Sequence, residues 1–580
     1  MFYAKDHKTY DMFDNFAYLG PKRRTLLEES WAKIFREEIL PVLPVEKLEK
    51  HYDEIMGRPT KELYAMLGLM VLQHMDDLTD EQAVEQFAFN IKWHFALNIT
   101  GISDAVSYVC PKTIWTMRDI IGENNLYAAV FEAVTQKLAK AFSVDTSRQR
   151  LDSVHIFSNM RHLGRIGLFA KTIKKFLENL KRHYRDHYNA IDKEITERYM
   201  KKEGEAAFSM VKPSESAKTL ETVGKDLFYL TERFRKESAI TSMSSYLLLT
   251  RVLKEQCLVE EDKETGVSKV SVKANKEVPS DSLQNPSDPD AGYDGHKGKG
   301  YQVQVMETYT REEEKDQLSL ITYVSVEAAH KSDAHAIIPA IEDTKERGLA
   351  PTEILADTLY GSDENCEKAR EQGVEIVSPV TGRGKETSVT LNDFTLTQSG
   401  EVKSCPEGHR PEQTRKDEAG RLTAAMKTET CESCTKTADC PVKAGKKFHY
   451  LHYDEKAIRL AARRAIEKTD EFKNRYRFRS GVEGTMSQYD RKTGVKQLRV
   501  RGMTAVSLAA VLKATGINIL RASAFKNRAN RDDSPSNRGN IADINLNFDL
   551  TGILSMVRNY FESFCERFAA KNQVGFQIYA

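Results

Sequence analysis

Two strand-like runs in this chain of 580 residues each carry an acid where a strand gains nothing from one. Arg150-Leu151-Asp152-Ser153-Val154-His155-Ile156 looks like a strand, with Leu151 and Val154 apolar, and Glu353-Ile354-Leu355-Ala356-Asp357 is a short apolar strand ending in its acid. Asp is a poor strand former, so a carboxylate in either run needs a reason. Active-site groups of α/β sheets collect at the carboxyl ends of strands. A third acid, Glu483, stands among Arg475, Arg477, Arg479, Arg491, Lys492, Lys496, Arg499 and Arg501. A lone carboxylate in a basic field suits a metal ligand beside a polyphosphate: phosphates need the cations and a divalent ion needs the carboxylate. Taken singly, each acid has an ordinary reading too. Asp152 can cap a turn, Asp357 can cap the helix after it, and Glu483 can pair with Arg479 on a solvated helix.

Composition narrows the function less than the pattern does. Lys plus Arg is 86 and Asp plus Glu is 85, a net charge of +1, so any nucleic-acid role must rest on local clustering. No apolar run reaches the roughly 18 residues of a membrane helix. The N-terminus lacks a basic start followed by an apolar core, so no signal peptide is expected, and a cytoplasmic location is.

Along the chain, residues 1–145 read as helical. Leu63, Met66, Leu67, Met70 and Val71 recur at helical spacing, Thr79-Asp80-Glu81-Gln82 has the pattern of a capping box, and a third helix is expected from Pro111. Three short helices can form a helix-turn-helix DNA reader or an ordinary bundle. Gly164 to about Glu260 reads as an inserted helical subdomain, and residues 260–295 as a polar linker with Pro279, Pro286 and Pro289. His155 is either a ligand or, more simply, a structural histidine. Two strands with antiparallel spacing follow, Tyr301–Met306 and Ser319–Val326, preceded by a loop whose Lys297 and Lys299 are candidate phosphate contacts. Helices are expected over Asp333–Arg347, Asp363–Gln372 and Val506–Ile519, a strand over Val374–Val380, and disorder over 526–540 before a last helix, Ile553–Phe568.

Four of the eight cysteines fall between Cys405 and Cys440. Cys405, Cys431, Cys434 and Cys440 have the spacing of a zinc knuckle, with His409 as a spare ligand, and the alternative is a loop of reduced thiols. Four protein ligands would leave no open position, so such a zinc would be structural, in a loop too small to fold otherwise.

Gathered together, Asp152, Asp357 and Glu483 can hold two Mg2+ (or Mn2+) ions about 3.5–4 Å apart for in-line phosphodiester displacement, with the nearby arginines gripping the DNA backbone. Here LDSVHIFSNMRHLGR, ILADTLYGSDEN and RFRSGVEGTMSQYDRKTG resemble the three catalytic blocks of bacterial insertion-sequence DDE transposases of the IS-eleven-eighty-two type, within the wider IS-four-like group. GRPTKELYAMLGLMVLQHMDDLTDEQAVEQF is similar to the helical domain that precedes the core in such enzymes, and DPDAGYDGHKGKGYQVQVMET to their pre-strand block. The wider group's third block reads Tyr, two residues, Arg, three residues, Glu, six residues, Lys. Tyr476, Arg479 and Glu483 fit; the next step lands on Asp490, a departure, with Arg491 and Lys492 just after it.

The resemblance implies an α/β fold with a ribonuclease H-like mixed-sheet core assembled from 146–160, 295–382 and 454–525. Around it stand a helical, DNA-binding domain at 1–145, an insertion and linker at 161–294, a Cys-rich insertion at 383–453, and a linker and helix at 526–580. It implies Asp152, Asp357 and Glu483 as catalytic metal ligands, and Tyr476, Arg479, Arg491 and Lys492 at DNA, where the loop lysines Lys297 and Lys299 are expected as well. The expected activity is cleavage at terminal inverted repeats and joining of the 3′ hydroxyls to target DNA, by a homo-oligomer at paired ends associated with the nucleoid. A metal-dependent nuclease with the same core and no strand transfer, and a non-catalytic DNA-binding relic, are the competing readings; the presence of all three acids argues against the relic.

Overall fold

The computed structural model describes residues 2–532 apart from 10–13, 54–55, 57–58, 161, 201–207, 209–210, 262–267, 313–316 and 383–388. The last helix expected at 553–568 lies outside the described residues. Met1–Phe525 form one compact unit.

Helices open the chain. α1 (Leu63–Met75) is apolar nearly all round and is buried on all sides, as such a helix must be. α2 (Asp80–Phe89) starts with the cap that its sequence predicts: the Thr79 hydroxyl accepts from the Gln82 N–H, and the Gln82 side chain accepts from the Thr79 N–H. α3 (Pro111–Glu123) and α4 (Leu126–Ala141) complete the layer. Leu67, Trp93, Ile114 and Val134 meet in its core, to which Leu508 and Leu512 from near the other end of the chain also belong.

The period then changes and β1 (Arg148–Phe157) begins. After it come α5 (Arg165–His183), α6 (Ser216–Phe234) and α7 (Ser244–Gln256), which share a separate core around Phe176, Leu227 and Leu249. The stretch expected as a polar linker is built differently. β2 (Cys257–Glu261) and β3 (Ser268–Val272) form an antiparallel hairpin, and Ser282, Asn285 and Asp288 are buried. Their polarity is absorbed by partners distant in sequence: Asp288 accepts from Ser158 Oγ at 2.7 Å, Tyr301 OH at 2.5 Å and the Gly502 N–H at 3.1 Å.

β4 (Gly292–Asp294), β5 (Gly298–Thr308), β6 (Ile321–Ala328), β7 (Glu353–Ala356) and β8 (Glu375–Val377) join β1 in a mixed sheet. β1 is central. It runs antiparallel to β5 on one side and parallel to β7 on the other; β8 extends the parallel side, and β4 and β6 both pair with β5. This mixed α/β arrangement is consistent with the ribonuclease H-like core of a DDE enzyme. One face carries Leu151, Met306, Ile354 and Ala356 and is covered by α8 (Ile337–Glu346) and α9 (Asp363–Glu371). The opposite face carries Val154, Ile156, Val303 and Val305.

Beyond the sheet, residues 389–453 are not a loose loop. β9 (Thr395–Leu396) pairs with β10 (Val402–Ser404), and β11 (Gln413–Lys416), β12 (Leu422–Lys427) and β13 (Phe448–Tyr453) form a second small sheet. Phe394, Val402, Leu422, Ala424, Leu451 and Tyr453 give this lobe an apolar core of its own. The chain returns through α10 (Glu455–Glu467), α11 (Asp470–Tyr476) and α12 (Gly481–Thr493). α13 (Met503–Asp532) then runs through the expected helix and on past Lys526, where disorder was expected. It is the one described helix long and apolar enough to cross a membrane, but 72% of its apolar window is buried within the protein, as in a core helix.

Candidate active site

The parallel register sets the first two acids side by side. Arg150 pairs with Leu355 and Leu151 with Ala356, so Asp152 and Asp357 are the next positions in step on neighbouring strands, on the face opposite Leu151 and Ala356. Asp152 lies inside β1, which continues to Phe157; its parallel neighbour ends at Ala356, so the carboxylate opens where β7 stops. Asp357 accepts from the Thr358 N–H and begins a tight turn in which the Tyr360 N–H bonds the Asp357 carbonyl.

α12 brings the third acid to this face. Val482, Met486 and Tyr489 recur at helical spacing and pack on Val154, Ile156, Val303 and Val305. Glu483 follows Val482 at the border of that stripe, with its side chain 70% exposed. Arg479, in the short turn Arg477–Ser480 before α12, ties the pieces together. Its Nη2 donates to Asp152 Oδ2 at 2.8 Å and its Nη1 to Glu483 Oε1 at 3.3 Å. Burial pushes the Asp152 carboxyl above the usual range and the nearby Asp357 adds to the rise, against the pull of Arg479 and the Ser153 N–H. Tyr476 is half-buried beside the same groups, stacked on Phe472, its hydroxyl held above its usual range by burial.

Part of the basic field around Glu483 is paired with the protein's own acids. Arg475 donates to Glu353 and Glu375, Arg477 to Glu312, and Arg499 to Asp77. Arg491 and Lys492 are exposed in the last turn of α12. They stand about 12–14 Å along the helix from Glu483, at 1.5 Å per residue. Lys297 and Lys299 are not brought to the acids. They flank the β4–β5 turn, where Gly300 pairs with Phe157, about 17 Å along β1 from Asp152. Lys299 donates to the Leu163 carbonyl at 3.2 Å, and burial lowers its pKa. His155 packs edge-on against Phe157, 4.7 Å between ring centres, and its two buried ring nitrogens have no hydrogen-bond partner among the described residues.

Sequence reasoning missed Glu307. Its side chain is fully buried, on β5 two residues past Val305, the partner of Asp152 across the sheet. The available signal was the one that marked Asp152: an acid inside a strand.

In the small lobe, Cys405, Cys431, Cys434 and Cys440 line one cavity of about 80 Å³, with His409 and His449 also on its wall. Burial pushes the Cys431 and Cys440 thiols up, and the neighbouring sulfurs push further. Among the described residues no group of three or more His, Cys, Asp or Glu side chains is arranged so as to hold a metal ion, here or at the three acids.

Two regions of the chain match known families. Residues 404–522 match a family model described as a transposase DDE domain, and residues 26–119 match one described as a transposase domain. Together the two matches indicate a transposase of the DDE family. No curated protein matches the chain. The DDE-domain match takes in the four cysteines, Arg479 and Glu483, whereas Asp152 and Asp357 lie upstream of it. The second match covers α1, α2 and most of α3. Enzymes of the DDE transposase family act on DNA and generally use divalent metal ions.

Proposed function

We propose that the chain, an insertion-sequence transposase of the IS-eleven-eighty-two type, cleaves DNA at the terminal inverted repeats of its element and joins the freed 3′ ends to target DNA, with Asp152, Asp357 and Glu483 as the catalytic acids. What supports this most is one arrangement: Asp152 and Asp357 each follow directly on the last residues that pair β1 with β7, Leu151 and Ala356, and Arg479 links Asp152 to Glu483. The donor set is all carboxylate oxygen, which fits hard ions such as Mg2+ or Mn2+. Two such ions, when bound, activate the attacking hydroxyl and stabilise the leaving oxygen. The protein's own part is positional. The sheet carries Asp152 and Asp357, the apolar stripe of α12 holds Glu483 within reach of Arg479, and the mostly exposed Glu483 would turn inward about its side-chain torsions to join them. Arg479 and Tyr476 face the acids where a scissile phosphate would lie, and Arg491 and Lys492 extend a cationic track along α12. Lys297 and Lys299, at the other end of β1, would touch DNA outside the cleavage point. The helical N-terminal region is the DNA-reading part of this proposal, and two copies act at paired ends in the cytoplasm, where the nucleoid is.

The test is a Mg2+-dependent assay on duplexes carrying the terminal repeats that flank the chain's own gene. Nicking at the repeat ends followed by strand transfer is the expected result. Cleavage without joining would reduce the activity to that of a nuclease.

A structural Zn2+ in the Cys-rich lobe belongs to the same proposal. Thiolate sulfur suits zinc, four cysteines share one cavity, and the Cys405 turn is closed by two backbone bonds, Cys405 N–H to the His409 carbonyl at 2.8 Å and Gly408 N–H to the Cys405 carbonyl at 2.9 Å. Side-chain rotation must bring the sulfurs together, and His409 would replace Cys405 if that thiol stays out. Elemental analysis should find about one zinc per chain, lost on Cys431→Ser with Cys434→Ser. A zinc-free parent protein ends the idea.

A further inference from the structure

The Glu307 side chain is fully buried near the acids, and β1, α12 and α13 each send a side chain to it. It sits on β5, on the same sheet face as Asp152 and α12. Arg150 of β1 donates to its Oε1 through Nε at 2.8 Å, and Arg521 of α13 donates to its Oε2 at 2.8 Å. The Thr485 hydroxyl of α12 donates to the same Oε2 at 2.6 Å. Thr485 is two residues from Glu483 and its oxygen also accepts from Arg521 Nη2 at 2.6 Å, while Arg521 Nε holds Gln488, one turn further on, at 2.9 Å. Arg150 carries the connection to the preceding turn: its Nη1 donates to the Phe478 carbonyl at 2.7 Å, directly before Arg479. A carboxylate sealed from water and flanked by two arginines tolerates little movement, because any shift leaves charge unpaired.

We propose that Glu307 is a positioning residue for the transposase reaction: through Arg150 it fixes the turn bearing Arg479, and through Thr485 and Arg521 it fixes the helix bearing Glu483. It touches neither DNA nor the reacting atoms, and it acts by holding the third acid against the first two. The inference rests on the proposed roles of Asp152, Asp357 and Glu483. A displacement of about 1 Å at a reacting group can cost on the order of 10²-fold in rate.

The experiment compares Glu307→Gln, Thr485→Val, Thr485→Ser and Glu483→Gln in the full chain, by single-turnover cleavage of the repeat-end duplex and by binding of the same duplex. Thr485→Val keeps both arginine pairs on Glu307 and removes the hydroxyl's bonds to Glu307 and Arg521, so it tests the Thr485 connection even where Glu307→Gln fails to fold. The expected result is a cleavage rate lower by about tenfold in Thr485→Val and on the order of 10²-fold in a folded Glu307→Gln, with duplex affinity unchanged and the rate restored by Thr485→Ser. Parental cleavage by a folded Thr485→Val, with Glu483→Gln inactive, overturns this inference alone. Cleavage that survives Glu483→Gln overturns the underlying reading and this inference with it.

Discussion

Nη2 of Arg479 lies 2.8 Å from Oδ2 of Asp152. The same guanidinium reaches Glu483, so a cation of the protein's own stands between two of the proposed metal ligands. In DNA-free protein Arg479 therefore competes with a divalent ion for both carboxylates. Arg479→Gln should tighten Mn2+ binding about three- to tenfold, a modest gain because Glu483 is exposed and screened, while slowing cleavage. Calorimetric titration with Mn2+ measures the first effect; weaker or unchanged binding contradicts the competition.

Asp152→Asn, Asp357→Asn and Glu483→Gln each preserve shape and remove a charge. Each should lower cleavage by about 10²–10³-fold or more, the scale on which loss of one transition-state contact is felt. Duplex binding should stay within about twofold, since other residues supply the phosphate contacts. Binding that collapses with cleavage would assign these acids to the fold instead.

Gly481 opens α12 where the Arg150 guanidinium passes. A Cβ there would fall 2.0 Å from Arg150 Nη1, and that group is pinned by Glu307 and the Phe478 carbonyl. The backbone angle is ordinary, so the constraint is one of space. Gly481→Ala should cost about 1–3 kcal/mol by overpacking, read as a lower urea midpoint at constant slope. An unchanged midpoint would mean that the arginine is free to move aside.

Burial works to raise the pKa of Glu307, but Arg521, Arg150 and Thr485 outweigh it and hold the carboxyl below its usual range. A carboxylate with a depressed folded-state pKa stabilises fully above its unfolded value, about 4.3, and the stabilisation fades as pH falls through the folded-state value. The stability gap between the parent and Glu307→Gln should then be about 3–5 kcal/mol at pH 7, the cost of breaking a buried ion pair, and should narrow below about pH 4. Urea unfolding at pH 7, 5 and 3.5 checks it; a gap that widens on acidification has the wrong sign.

The proposed acids were legible because two of them break a local rule. Asp152 and Asp357 stand in apolar strand segments, and the register that sets them in step needs only those strands to be parallel. Val482, Met486 and Tyr489, spaced as on one face of a helix, mark the buried side of α12. What stayed hidden depends on partners far along the chain. The arginines around Glu483 look like a DNA-facing field, yet Arg475 is spent on Glu353 and Glu375 and Arg499 on Asp77. The polar run near Asp288 reads as linker because Ser158, Tyr301 and Gly502, which satisfy it, cannot be assigned to it by local pattern. The small lobe around Leu422 and Tyr453 is hidden for another reason: its strands are short and its core is only a handful of side chains.

β1 sits at the centre of the sheet, yet it is translated well before any strand that flanks it. Its neighbours come from 298–308 and 353–356, and Arg479 comes later still. A nascent chain must therefore shelter an unpaired strand while the α5–α7 lobe leaves the ribosome, a period of exposure in which chaperones matter. Any product that stops short of Arg479 carries the N-terminal helices without the third of the proposed acids, and under the proposed function it would compete with intact protein for DNA.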